Sequence, residues 1–144
     1  MTNEQKESWK KIRNAGTASL VIGFFEISIY TLLLILAVFM IILDTQVQTG
    51  DNSVDTVSSS VIGVILLCLV LILLSFSILN IIAGIKLRKP IENPKGWIIY
   101  LIVVGAFKFT TLQGIIELIF GIIAYSSLST IKDSKPPPVS ELHN

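Results

Sequence analysis

Two long runs of apolar residues constrain the fold of this chain more than any other feature. Residues 17–43 contain a single charged residue, Glu26, in 27 positions, and residues 58–85 contain none in 28. Because a helix rises about 1.5 Å per residue, either run exceeds the roughly 20 residues that cross a hydrocarbon layer. Only 15% of all residues are charged, whereas an average soluble domain has about 25%. The sequence therefore predicts an integral membrane protein.

The secondary structure of these runs follows from the solvent. Lipid offers no hydrogen-bond partner to backbone amides, so a crossing segment must be a helix or part of a closed barrel. Neither run has the alternation of apolar and polar residues that marks a barrel strand. We therefore predict an all-α membrane protein whose first two transmembrane helices cover about 18–43 and 60–85.

A third apolar region, residues 97–128, is harder to interpret because Lys108 lies near its middle. As one tilted helix it would be about 48 Å long and would bury Lys108 at a cost of about 2.5–3.5 kcal/mol. As a hairpin it would form two short helices, about 97–110 and 112–129, around a turn rich in Lys, Thr, Gln and Gly. We favour the hairpin, which gives an antiparallel bundle of four transmembrane helices.

The basic residues indicate the orientation. Under the hairpin interpretation ten of the eleven Lys and Arg fall on one side, and Lys108 alone falls on the other. The positive-inside rule then places both termini in the cytoplasm and the acidic 44–59 loop outside the cell membrane. Three regions follow: a cytoplasmic segment 1–16, which is either an amphipathic interfacial helix or a polar tail, a transmembrane domain 17–130 and a disordered cytoplasmic tail 131–144.

The side chains that most enzymes need are scarce. The only histidine, His143, lies in the tail, and the only cysteine, Cys68, lies inside the second predicted span. No histidine-based dyad, triad or metal cluster can therefore form in the transmembrane domain. We expect no enzymatic activity, no catalytic residue, no metal or other cofactor, and no nucleic-acid partner.

Four polar residues inside the predicted spans are the candidate functional residues: Glu26, Asn80, Lys108 and Glu117. A carboxylate that stays ionised in a membrane must find a cation, a donor or water, and otherwise it is protonated. Depth along the helices suggests that Glu26 meets Asn80 and that Glu117 meets Lys108. These groups hold helices together, serve proton or ion translocation, or bind a partner, and we favour the first role.

Glycine supplies the candidate packing surfaces. Small residues let helices in a membrane approach closely, and we expect Gly84, Gly105, Gly114 and Gly121 to lie at helix contacts. The segment 80–125, with Lys95-Gly96, Gly105, Gly114 and Gly121, resembles small uncharacterised four-helix membrane proteins of low-GC Gram-positive bacteria, a domain-of-unknown-function type. The resemblance implies a fold and no activity, and the glycine-rich start of such proteins is reduced here to Gly16 and Gly23.

The expected function is therefore that of a non-catalytic membrane protein acting by helix–helix interaction, as an accessory subunit of a membrane complex or an immunity-type protein. The alternative is a small oligomeric transporter or channel subunit that uses Glu26 and Glu117. Expected partners are the lipid bilayer and another membrane protein or a second copy. Anionic lipid head groups are expected at the basic N-terminus and at the 86–95 loop.

Overall fold

The computed structural model describes residues 2–47, 59–89 and 93–131. In chain order its helices are α1 (Asn3–Val47), α2 (Ser59–Arg88), α3 (Lys95–Phe107), α4 (Leu112–Ser126) and α5 (Leu128–Ile131). These described ranges contain no strand, which confirms the all-α prediction. Most of the acidic 44–59 loop and nearly all of the 131–144 tail lie outside the described residues.

Helices α1 and α2 are long and apolar enough to cross a membrane. They contain 45 and 30 residues, which corresponds to lengths of about 68 and 45 Å. Only 11% and 17% of the residues in their most apolar windows are buried. A core helix of a soluble protein buries most of its apolar stretch, so these two helices are poor candidates for that class.

Helix α1 begins well before the predicted span, and a capping box explains its start. The Gln5 backbone N–H donates to Thr2 Oγ1 at 3.3 Å, and the Thr2 N–H donates to Gln5 Oε1 at 3.0 Å. This reciprocal pair satisfies backbone donors at the helix start that would otherwise have no partner. The segment 1–16, expected as a separate helix or a tail, is thus helical from Asn3 onward and continuous with α1.

Helices α3 and α4 form the hairpin that the sequence favours, so the interpretation as one long helix is wrong. The backbone turns at residues 108–111, where Thr111 Oγ1 accepts a hydrogen bond from the Gly114 N–H and caps α4. The two helices have only 13 and 15 residues, about 20 and 23 Å. Neither is long enough by itself for the hydrocarbon layer of about 30 Å, so the predicted count of four crossings is not confirmed.

The chain separates into two compact units. The four-helix unit, residues 1–24 and 78–144, contains the start of α1, the end of α2 and all of α3, α4 and α5. The two-helix unit, residues 25–77, contains only the remaining parts of α1 and α2. The apolar core of the four-helix unit consists of Trp9, Ile12, Ala15, Ala83, Leu87, Ile98, Leu101, Ala124 and Ile131.

Buried positions recur every seven residues along the two long helices. In α2 they include Gly63, Val70, Ser77 and Gly84, and in α1 they include Ile12, Ser19 and Glu26. A period of seven keeps one narrow stripe of a helix facing its neighbour, as in coiled coils. Ser19, Glu26 and Ser77 lie on these stripes, and Asn80 is buried about one turn after Ser77 in α2.

Candidate functional site: buried polar groups between helices

Asn80 of α2 lies at the centre of a polar cluster in the four-helix unit. Its side-chain amide donates a hydrogen bond of 2.6 Å to Glu117 Oε1 of α4. Its Oδ1 accepts a hydrogen bond of 3.1 Å from the Tyr100 hydroxyl of α3. Its backbone carbonyl accepts one of 2.9 Å from the Ser19 hydroxyl of α1. One residue of α2 thus links α1, α3 and α4.

The two-helix unit contains a smaller polar pair. The Ser77 hydroxyl of α2 donates a hydrogen bond of 2.9 Å to Glu26 Oε2 of α1, and it also lies 3.1 Å from the Leu73 carbonyl of its own helix. A serine hydroxyl has a single proton, so the two acceptors share it. Ser77 and Glu26 are fully buried, at 0% and 1% exposure.

These groups can orient and hold helices, and their burial restricts other chemistry. Glu117, like Glu26, is only 1% exposed, so neither carboxyl contacts a wide aqueous path within the chain. Interhelical hydrogen bonds in membranes contribute on average about 0.6 kcal/mol each. Because Asn80 makes three of them, its cluster constrains helix register more strongly than the Glu26–Ser77 pair.

Of the four polar residues predicted from the sequence, the structure brings Asn80 together with Glu117. The sequence did not predict this pair. The expected pairs, Glu26 with Asn80 and Glu117 with Lys108, stay predictions. Lys108 is half-buried in the turn between α3 and α4, and its carbonyl accepts hydrogen bonds from the Thr111 N–H and hydroxyl, each at 2.8 Å.

The sequence analysis missed three contributors to these clusters: Ser19, Ser77 and Tyr100. Serine and tyrosine are common in apolar helices and carry little signal singly. The seven-residue spacing of Gly63, Val70, Ser77 and Gly84 is the signal that would have placed Ser77 on the packed stripe of α2.

The four candidate packing glycines lie where backbones approach closely. A Cβ atom at Gly105 of α3 would lie 2.5 Å from the Leu118 nitrogen of α4, and one at Gly84 of α2 would lie 2.7 Å from the Gly16 carbonyl of α1. At Gly121 a Cβ would lie 2.8 Å from the Ile102 side chain, and at Gly114 it would overlap the Lys108 carbonyl. Gly16 is therefore a further packing residue.

Exposed basic side chains mark one end of the four-helix unit, at the start of α1, the end of α2 and the start of α3: Lys6, Lys10, Lys11, Lys86, Arg88, Lys89 and Lys95. Lys11 pairs with Glu7 at 3.1 Å, one turn away in α1. Nearby in the chain, Trp97 and Tyr100 pack edge to face with ring centroids 6.2 Å apart. Basic and aromatic residues together are typical of a membrane–water interface.

Among the described residues no group of three or more His, Cys, Asp and Glu side chains is placed to hold a metal ion. No family model, curated protein or solved structure matches this sequence. The resemblance to four-helix proteins of Gram-positive bacteria stays a prediction.

Proposed function

We propose that this protein is a non-catalytic integral protein of a cell membrane that acts through helix–helix interaction with another membrane protein. It would serve as an accessory subunit of a membrane complex or as an immunity-type protein. The observation that carries the proposal is the burial and hydrogen bonding of two carboxyl groups, Glu26 and Glu117. Each is buried and accepts a hydrogen bond from an uncharged side chain of a different helix.

The surface of the two-helix unit supports the membrane location. Among its described residues the buried hydrophobic side chains are Ala37 and Val70, both small. Large side chains such as Leu32 and Ile65 are 67% and 62% exposed. Contiguous apolar surface of this extent is not compatible with water and marks a contact with lipid or with another protein.

The proposed orientation has both termini in the cytoplasm and the acidic 44–59 loop outside. The basic end of the four-helix unit would then lie at the inner surface, where it attracts anionic lipid head groups. Impermeant maleimide labelling tests this orientation. In a Cys68→Ala background, Ser53→Cys should react in intact cells, whereas Lys10→Cys should react only after the cells are opened.

The hydrogen bonds of Glu26 and Glu117 support a role in holding helices rather than in conduction. An ion path requires polar groups that a mobile ion or water can reach, and these carboxyls are inaccessible in the single chain. A pathway would therefore need an oligomer that opens the helix contacts. The transporter alternative predicts such an oligomer.

Co-purification from mild detergent distinguishes the two functions. A stable complex with a different membrane protein supports the proposal. A defined homo-oligomer that conducts protons or cations in liposomes, and loses conduction in Glu26→Gln and Glu117→Gln variants that still assemble, contradicts it.

The exposed faces of the two-helix unit are where a partner would bind. Tryptophan scanning at exposed positions of both helices, such as Leu32 and Leu36 of α1 and Ile65 and Ile72 of α2, separates lipid contact from protein contact, because lipid accommodates a bulky side chain and a packed interface does not. The proposal predicts that at least one face loses the partner on substitution. Tryptophan tolerated at every exposed position, with the partner retained, would argue against binding through this unit.

A further inference from the structure

Three large apolar side chains are exposed at the tip of the α3–α4 hairpin, beside the polar residues of the turn. Phe107, Phe109 and Leu112 flank or belong to it, and they are 87%, 62% and 74% exposed. Turns that face water are typically built from Gly, Pro, Asn, Asp and Ser. The structure therefore leaves three large apolar side chains without cover at the one place in the hairpin where a chain crossing the membrane would enter water.

The hairpin is also too short to reach the far side of a hydrocarbon layer. Helix α3 starts at Lys95, next to the basic end of the four-helix unit, and its 13 residues extend about 20 Å. From an inner boundary at that end, the tip falls about 10 Å short of the far side of a hydrocarbon layer of about 30 Å. Any tilt of the hairpin increases this shortfall.

Several backbone groups of the tip have partners within the turn. The Lys108 N–H donates to the Val104 carbonyl at 2.9 Å, and the Phe109 N–H donates to the Ala106 carbonyl at 3.4 Å. The Thr111 N–H and hydroxyl both donate to the Lys108 carbonyl, and Thr111 caps α4 as described. These internal hydrogen bonds reduce the number of backbone groups at the tip that need water.

We infer that the α3–α4 hairpin is re-entrant: it enters the membrane from the cytoplasmic side, ends within the hydrocarbon and returns to the same side. The occupants of the exposed surface at its tip are lipid acyl chains. Long basic side chains near helix ends extend toward head groups, which lowers the cost of placing Lys108 at this depth. Both termini stay in the cytoplasm, because a re-entrant hairpin and a double crossing return the chain to the same side.

The inference rests on the proposed membrane location and changes the predicted topology from four crossings to two crossings and one re-entrant hairpin. The positive-inside rule does not distinguish the two topologies, since they differ in the surroundings of only one basic residue, Lys108. The depth of the tip in the membrane does distinguish them.

The test uses single-cysteine variants in a Cys68→Ala background. Thr110→Cys reports on the tip, where this exposed side chain has room for a label. Ser53→Cys is the outer aqueous control, Lys10→Cys the inner aqueous control, and Ile35→Cys, whose parent side chain is 61% exposed, the lipid control. Impermeant maleimide is applied to intact cells and to inverted vesicles, and a nitroxide at each position is compared for access to oxygen and to a nickel chelate.

The inference predicts that Thr110→Cys behaves like the lipid control. It should react from either side at about one tenth of the aqueous rate or less, because maleimide requires a hydrated thiolate, and its nitroxide should favour oxygen over the nickel chelate. Outer labelling at the rate of Ser53→Cys would overturn the inference and restore a double crossing. If instead Ile35→Cys itself reads as aqueous, the proposed membrane location fails, whatever the tip shows.

Discussion

The two units of this chain bury their apolar side chains to very different extents. The four-helix unit buries large side chains such as Ile12, Ile98 and Leu101 almost completely. The two-helix unit is also rich in Leu, Ile, Val and Phe, yet most of those side chains remain exposed. Two helices can cover only one stripe of each other, whereas four can enclose a core. The two-helix unit therefore depends on its surroundings for stability, and the four-helix unit depends on its own contacts.

The largest expected difference in stability is between truncating a buried side chain of the four-helix unit and an exposed one of the two-helix unit. Ile98→Ala should lower the free energy of unfolding by about 2–5 kcal/mol, because a buried isoleucine is replaced by a cavity. Ile35→Ala, in the two-helix unit, should change it by less than about 0.5 kcal/mol, as is usual at exposed sites. Hydrogen exchange with mass spectrometry in mixed micelles reads residues 25–77 separately from the four-helix unit, so it measures both losses. Equal losses would show that the units do not differ in this way.

A second comparison uses glycines inside the four-helix unit. Gly105→Ala should cost about 1–3 kcal/mol, since its Cβ would meet backbone atoms of α4 that cannot move alone. Gly96→Ala is the matched control, because no atom lies within 4 Å of its Cβ position. Alanine is the better helix former, so this variant should be neutral or gain up to about 1 kcal/mol. A similar loss in both variants would contradict the close approach of α3 and α4.

Removing a polar side chain should also cost more stability in the four-helix unit than in the two-helix unit. Asn80→Ala removes a residue that links three helices, and we expect a loss of about 1–2 kcal/mol as Glu117 and Tyr100 lose their partner. Ser77→Ala removes one shared hydrogen bond and should cost about 0.6 kcal/mol. Hydrogen exchange with mass spectrometry resolves the two, since each loss should appear in its own unit. Greater damage from Ser77→Ala would mean that the two-helix unit depends on its polar pair more than the geometry indicates.

The smallest expected effect is at a glycine of the two-helix unit. A Cβ at Gly63 would lie 2.7 Å from Cγ1 of Ile41, a β-branched and therefore stiff side chain, and 3.3 Å from the Ala37 carbonyl. Relief of this contact needs a small shift between α1 and α2, and the gain of about 1 kcal/mol in helix propensity offsets its cost. We expect Gly63→Ala to change stability by less than about 0.5 kcal/mol, measured by hydrogen exchange within residues 25–77. A loss as large as that of Gly105→Ala would show that this unit is packed as rigidly as the other.

The sequence predicted some features of the fold well and others poorly. The break at Lys108 was anticipated because Lys, Thr, Gln and Gly are unfavourable in the middle of an apolar helix. The role of residues 1–16 was not, because Trp9 and Ile12 read equally well as interfacial anchors. Both belong to one buried core with Leu87 and Ile98, which lie far away in the chain and whose proximity no local pattern encodes.

The residues of the candidate site were likewise only partly predictable from the sequence. Glu26, Asn80 and Glu117 were recognisable by themselves, because polar groups in apolar helices are costly and need a partner. Their partners were not recognisable, since Glu26 and Ser77 lie 51 residues apart and Asn80 and Glu117 lie 37 apart. A shift of one residue in helix register would present different side chains.

What the sequence by itself determined is the all-helical character of the chain and the two helices long enough for a membrane, because both follow from local composition and from the backbone's need for hydrogen bonds. Only the tertiary structure decided which donor each buried carboxyl takes, which glycines contact another backbone, and how short the α3–α4 hairpin is. Those features depend on helix register and on where turns close, and both are set by contacts between residues distant in the chain.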